Sequence, residues 1–202
     1  MNRAAIGFAP HSGWAALVAV ACPPQGLRVL DRRRIALAGE DLPRQPYHAA
    51  ESLPLEKAEE LLARCARSSE SLARRALAEA VAALEGRGYE AAGCGLLLAS
   101  GRKLPALAGI LASHALIHTA DGEHYREALA RAAATRKIPL TGIRQKEIWG
   151  RAAEALRLPE DELRRRIDDA GKPLGPPWTA DHKHAAALAW IALQTAGRRR
   201  TS

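Results

Sequence analysis

The 202-residue sequence predicts one α/β domain on a mixed five-stranded sheet of order 3-2-1-4-5, with helices on both faces and a helical C-terminal region. Three observations predict it. Residues 1–37 hold three short apolar runs whose connections are too brief for a crossover helix, so they form an antiparallel meander. Beyond them, long stretches of helical spacing alternate with short apolar runs, the pattern of βα units. Right-handed crossovers then set the fourth and fifth strands parallel to the first, on its free side.

The elements follow in order. Residues 3–9 form the first strand, and residues 14–22, rich in Val, Leu and Ala, the second. Pro23-Pro24-Gln25-Gly26 is a turn. Residues 27–37 then alternate around Arg32-Arg33-Arg34. After a polar connector over 38–53, Pro54 opens a long helix spanning 54–87. In it Leu61, Leu62, Cys65, Leu72, Leu77, Val81 and Leu84 recur at helical spacing before Gly86 and Gly88 end it. Residues 91–143 read as a βαβ unit. Its first strand, over 91–99, is an almost unbroken apolar run buried on both faces. A helical region from Pro105 to Lys137 follows, with a break at Ala120-Asp121-Gly122, and then a short strand over 138–143. Helices over 145–156, 159–170 and 179–196 make up the C-terminal region, 145–197, the last preceded by a proline-rich linker.

With 48% apolar residues the chain can bury a core. No apolar run reaches the ~18 residues that span a bilayer, and Pro10 and His11 cut the N-terminal run too short for a secretory signal. Cys22, Cys65 and Cys94 are widely spaced and odd in number, and they read as buried thiols of a reduced compartment. These features together predict a cytoplasmic protein with no membrane partner. The net charge of +8 points to a polyanion, with nucleic acid first among the candidates. A composition rich in Arg and Ala would give the same charge without a function, and the clusters at 32–34, 164–166 and 198–200 are dispersed along the chain.

Two stretches carry a resemblance. Ile6-Gly7-Phe8-Ala9-Pro10-His11-Ser12-Gly13-Trp14-Ala15 is similar to the first hairpin of RuvC-type resolvases. Asp181-His182-Lys183-His184-Ala185-Ala186-Ala187-Leu188-Ala189-Trp190 is similar to their last helix. The sequence therefore resembles the ribonuclease H-like superfamily, which includes RuvC-type resolvases and actin-like ATPases. The resemblance implies a nuclease that holds two metal ions on carboxylates, and it places those carboxylates at Ala9, at Ala186 and at Ala99-Ser100-Gly101. Alanine cannot ligate a metal. The acidic phosphate loop of the actin-like ATPases fares no better, because His11-Ser12-Gly13 keeps the glycine and a hydroxyl but has no acid.

In this topology the first, third, fourth and fifth strands point the same way. Their C-terminal ends gather His11 and Ser12, the Tyr47-His48 connector, Ser100-Gly101-Arg102-Lys103 and residues 141–144 on one edge. Ligands of open α/β sheets bind where the strand order reverses. His11, Ser12, His48, Ser100, Gly101, Arg102, Lys103 and Lys183 are therefore candidates for holding a phosphate. On this reading the protein is a non-catalytic or atypical ribonuclease H-like protein that binds nucleic acid or another phosphorylated ligand. A metal-dependent hydrolase or nuclease is the alternative. His114 and His118, four apart, share a helical face and suit a divalent metal, with Asp121, Glu123 or His124 as a third ligand. Under it Glu51, Asp121, Glu123 and Asp181 are the candidate catalytic acids, joined by His11 and His48. Asp181 reads equally well as a helix cap. A third reading is a structural subunit of a larger assembly. No cofactor is implied beyond that metal, and only under the hydrolase reading. Trp14, Trp149, Trp178 and Trp190 are core residues or stacking surfaces for bases.

Overall fold

Strands whose side chains are apolar on both sides must be covered on both sides. That requirement organises this chain, whose computed structural model describes residues 2–99, 101 and 103–198. Strands β1 (Asn2–His11), β2 (Trp14–Ala21), β3 (Arg28–Ala36), β4 (Tyr89–Leu98) and β5 (Leu140–Arg144) form one sheet in the order β3-β2-β1-β4-β5. The β1–β2 and β2–β3 pairs are antiparallel, and β1–β4 and β4–β5 are parallel. The C-terminal ends of β1, β3, β4 and β5 therefore lie on one edge, as the connector lengths predict.

Helices α2 (Leu55–Glu85) and α4 (His114–Thr135) cover one face, and α5 (Ile148–Leu156), α6 (Glu160–Gly171) and α7 (Ala180–Arg198) the other. Alternation along the strands sorts the core. Ile6 and Phe8 of β1 with Leu17 of β2 meet Leu77, Leu84 and Leu129 on the first face. Ala9 of β1 with Val18 of β2 meets Ile148, Leu163 and Leu188 on the second. Fully burying one such Leu, Ile or Phe side chain stabilises the fold by roughly 1.5–3 kcal/mol.

Helix α7 approaches β1 and β4 closely because glycines lie beneath it. A Cβ built on Gly7 would fall 1.8 Å from the Ala185 carbonyl oxygen, and one on Gly95 would fall 2.4 Å from that of Leu188. The alanines of α7 supply the matching small surface: Ala185, Ala186, Ala187 and Ala189 are all fully buried.

Four local readings are corrected. The connector after β3 contains a short helix, α1 (Pro46–Ala50), with Pro46 in its first turn. The 105–137 region breaks earlier than Gly122 suggests. It divides into α3 (Leu107–Leu111) and α4 around Ala112 and Ser113, and Ser113 is extended (φ −141°, ψ 110°). Asp121 and Tyr125 are buried in α4, so tertiary packing carries the helix through Gly122. Residues Gln145–Glu147 form a 3₁₀ turn before α5. Cys65 and Cys94 are buried as expected, but Cys22, just past the end of β2, is exposed.

Candidate functional site

Two clusters of polar side chains lie where the strands of the parallel set end. The first surrounds the β1–β2 turn. Gly13 adopts φ +82° there, and its carbonyl accepts the amides of Leu37 (2.9 Å) and Ala38 (3.2 Å), tying the exit of β3 to the turn. The Arg44 side chain packs on the open side of Gly13. His11 stacks on Trp14 with ring centroids 4.4 Å apart, and the Arg34 guanidinium sits 3.9 Å over the same indole. His11 Nε2 meets Asp181 Oδ1 at 2.9 Å, which draws the start of α7 to the end of β1.

Clefts open on both sides of the Trp14–Arg34 ridge. One, of about 370 Å³, is lined by Gly13, Trp14, Arg34, Glu40 and Arg44. The other, of about 350 Å³, is lined by Trp14, Arg32, Arg34, Asp181 and His182. Arg32 is committed to structure, donating to the Gly175 (2.8 Å) and Pro177 (2.6 Å) carbonyls. Among the described residues Arg34 and Arg44 have no ion-pair partner.

The start of α7 has its own internal cap. His182 Nδ1 accepts the Thr179 amide at 3.1 Å and lies 3.0 Å from the Thr179 hydroxyl, so the imidazole satisfies the backbone N–H that the third-position carboxylate takes in a capping box. Burial, then the Arg32 charge, hold the His182 pKa below its ordinary value.

The second cluster joins α1 to α4. His48, His114 and His118 each present a ring nitrogen within 4.8 Å of the other two. His114 and His118 Nε2 are 3.1 Å apart, one turn of α4 separating the two residues. Asp121, one turn further along, is almost fully buried and holds α1 with both oxygens. Oδ1 accepts the Tyr47 amide at 2.7 Å, and Oδ2 meets His48 Nδ1 at 2.5 Å. Glu51 Oε1 lies 3.9 Å from His114 Nδ1.

The other predicted residues are placed as follows. His124 faces α2, with Nε2 2.9 Å from Ser69 Oγ, and burial holds its pKa below the ordinary value. Glu123 is half-buried on α4. The residue brought to His114 and His118 is thus His48, while Asp121 stands behind it. Lys183 pairs with Asp168 at 2.8 Å. Ser12, Gly101 and Lys103 are exposed, and Gly101 has φ +70°. Ser100, Arg102 and residues 199–200 of the last arginine cluster lie outside the described residues. Of the tryptophans, Trp14 lies under Arg34, Trp149 lies under Arg164, and Trp190 is buried in the core. Trp178 stacks on His182. Sequence reasoning missed the pairing of His11 with Asp181 and of His48 with Asp121. Both join residues more than 70 positions apart, and no local pattern encodes them.

Comparison with solved structures bears on the architecture. The chain is similar to Thermus thermophilus RuvC in complex with Holliday junction substrate, with TM-score 0.55, 12% identity, and coverage of 99% of this chain and 96% of that one. It is also similar to a Thermus thermophilus RuvC structure with TM-score 0.54, 13% identity, and coverage of 98% and 96%. The chain has the ribonuclease H-like fold of RuvC. No protein-family model and no curated protein matches the sequence. Within the RuvC fold, the carboxylate positions that the resemblance implies on β1 and on the last helix are Ala9 and Ala186. Both are fully buried in the apolar layer between sheet and α7 and offer no oxygen. At these two described positions the side chains offer no ligand to the paired metal ions that the resemblance implies.

Proposed function

We propose that the protein is an atypical ribonuclease H-like protein that binds nucleic acid at the C-terminal edge of its RuvC-type sheet, on the β1–β2–β3 side. The observation that carries this reading is the cleft beside the β1–β2 turn. There Arg34 and Arg44 stand without a carboxylate partner among the described residues, and each is free to take a phosphate. Exposed Ser12 and partly exposed His11 extend the same edge with a hydroxyl and an imidazole, and Lys103 is a further exposed cation on the loop that follows β4. The likeness to a RuvC structure in complex with a Holliday junction supports nucleic acid as the polyanion. The whole chain acts as one domain in this reading, in a reducing cytoplasm that keeps its free thiols reduced.

By contrast, the cations of α6 are largely spent on their own helix. Arg164, Arg165 and Arg166 all pair with Glu160 or Glu162. The α6 run therefore offers a ligand less open charge than its three consecutive arginines suggest.

The test is fluorescence anisotropy with labelled four-way-junction, duplex and single-stranded DNA over a range of salt. Binding should weaken steeply with salt. The Arg34→Gln/Arg44→Gln variant should reduce the log–log salt slope by about 2, one for each phosphate no longer neutralised. Affinity and slope unchanged in that variant would overturn the assignment of the cleft. No binding by the wild-type chain to any of the three would overturn the function.

A further inference from the structure

We infer that His48, His114 and His118 form a binding site for one divalent transition-metal ion of the zinc class, with a fourth coordination position open to solvent. The inference is independent of the nucleic-acid reading, because His48, His114 and His118 are not among the residues that line the Trp14 clefts.

The local fold prepares the donors. His114 and His118 occupy one face of the first turns of α4, so their rings meet without rearrangement of the helix. Zinc–nitrogen bonds of about 2.0–2.1 Å in a tetrahedron hold the nitrogens about 3.3 Å apart. The Nε2 atoms of His114 and His118 are already 3.1 Å apart, and the ligand atom of His48 lies within 4.8 Å of both. Small rotations about the side-chain bonds close the remaining gap.

Asp121 is the second, independent observation. Its carboxylate is buried, and its partners among the described residues are the Tyr47 amide and the His48 ring, with no Arg or Lys. A buried carboxylate without a cationic partner is costly. A metal ion on the far nitrogen of His48 supplies the missing positive charge through the imidazole. The same contact fixes the tautomer: Nδ1 is committed to Asp121, so Nε2 is the atom left for the metal. This is the carboxylate–imidazole–metal relationship by which outer residues orient a ligand and raise its basicity.

The donor set limits which ion and what role. Three neutral imidazoles suit zinc and its neighbours and not magnesium or calcium, which require oxygen. Three protein ligands with a free position mark a site that keeps water or takes an exogenous ligand, whereas closed four-ligand sites are structural. The His114 side chain is 67% exposed and His118 is exposed, so the free position faces solvent, with Glu51 at its rim.

Cobalt(II) titration of the metal-stripped full chain, followed by visible absorption, tests this. One equivalent should produce a ligand-field band of tetrahedral intensity that zinc abolishes and azide shifts. His114→Ala/His118→Ala, both surface changes, should lose the band while far-ultraviolet circular dichroism is unchanged. His118→Gln is the fallback should the double variant misfold. Asp121→Asn should weaken binding by about 10–100-fold. A wild-type chain that gives no band, or a band that survives in the folded histidine variant, overturns the site. A band that azide leaves unmoved overturns the open position.

Discussion

Gly7 lies directly beneath Ala185: a Cβ built on the strand glycine would fall 1.8 Å from the helix carbonyl oxygen. No rotamer change relieves such an overlap, because the obstacle is backbone. Helix and strand would have to separate, opening the layer that contains Ala9, Ala186 and Leu188.

Gly7→Ala should therefore destabilise the chain by about 3 kcal/mol, the upper part of the range for overpacked cores. Gly150→Ala is the control. Nothing lies within 4 Å of a Cβ there, and Gly150 sits inside α5, so the change should stabilise by roughly 0.5–1 kcal/mol. Urea denaturation midpoints of both variants measure this. A Gly7→Ala midpoint equal to that of the wild type would mean that α7 does not seat on β1 at Ala185.

The three thiols should separate cleanly by reactivity. Cys22 is exposed, whereas burial pushes the Cys94 thiol up to about 12 and raises that of Cys65. A disulfide reagent should titrate one thiol in the native chain and three after denaturation. Rapid reaction of Cys94 in the native state would contradict its placement in the middle of β4.

Stability should fall on mild acidification. Burial lowers the pKa of His184 below its ordinary 6.5, with the nearby Arg164 charge acting in the same direction and Asp181 opposing them. Burial does the same to His124, against Asp121. A histidine depressed in the folded state is neutral there while the unfolded chain takes up its proton. Its contribution is fully present above the unfolded value and is lost as pH falls toward the folded one. Denaturant midpoints should decline as pH falls through about 6.5, the ordinary histidine value, and His184→Gln should make that decline shallower. Equal slopes in wild type and variant would show that His184 titrates as it does in the unfolded chain.

The sheet order was legible because connector length is a topological constraint: a two-residue turn after His11 admits only a hairpin, and a 31-residue helix before β4 admits a crossover. The site was less legible because its residues meet only after folding. His114 and His118 announce themselves by spacing, yet His48 joins them from 66 positions away, carried by a five-residue helix that the connector's polarity concealed. Asp121 sat beside a glycine and suggested a break. Its burial, which holds that helix to α4, comes from contacts that sequence pattern does not encode. The Arg32-Arg33-Arg34 run is three identical residues in sequence, but its members diverge in the fold. Arg32 is anchored by the carbonyls before α7, Arg33 pairs with Asp31, and Arg34 lies over Trp14.

The glycine-floored seat of α7 limits where new carboxylates can be written into this chain. Writing aspartates at 9 and 186 would place two carboxylates in a sealed apolar seam, each incurring a desolvation penalty of several kcal/mol. They would have no water, and no space for the ions they were meant to hold. Two point changes would thus unseat the helix before they assembled a metal centre. A successful redesign would have to lift α7 off the sheet first, by refilling Gly7 and Gly95 and re-cutting the alanines that face them, and only then introduce the acids.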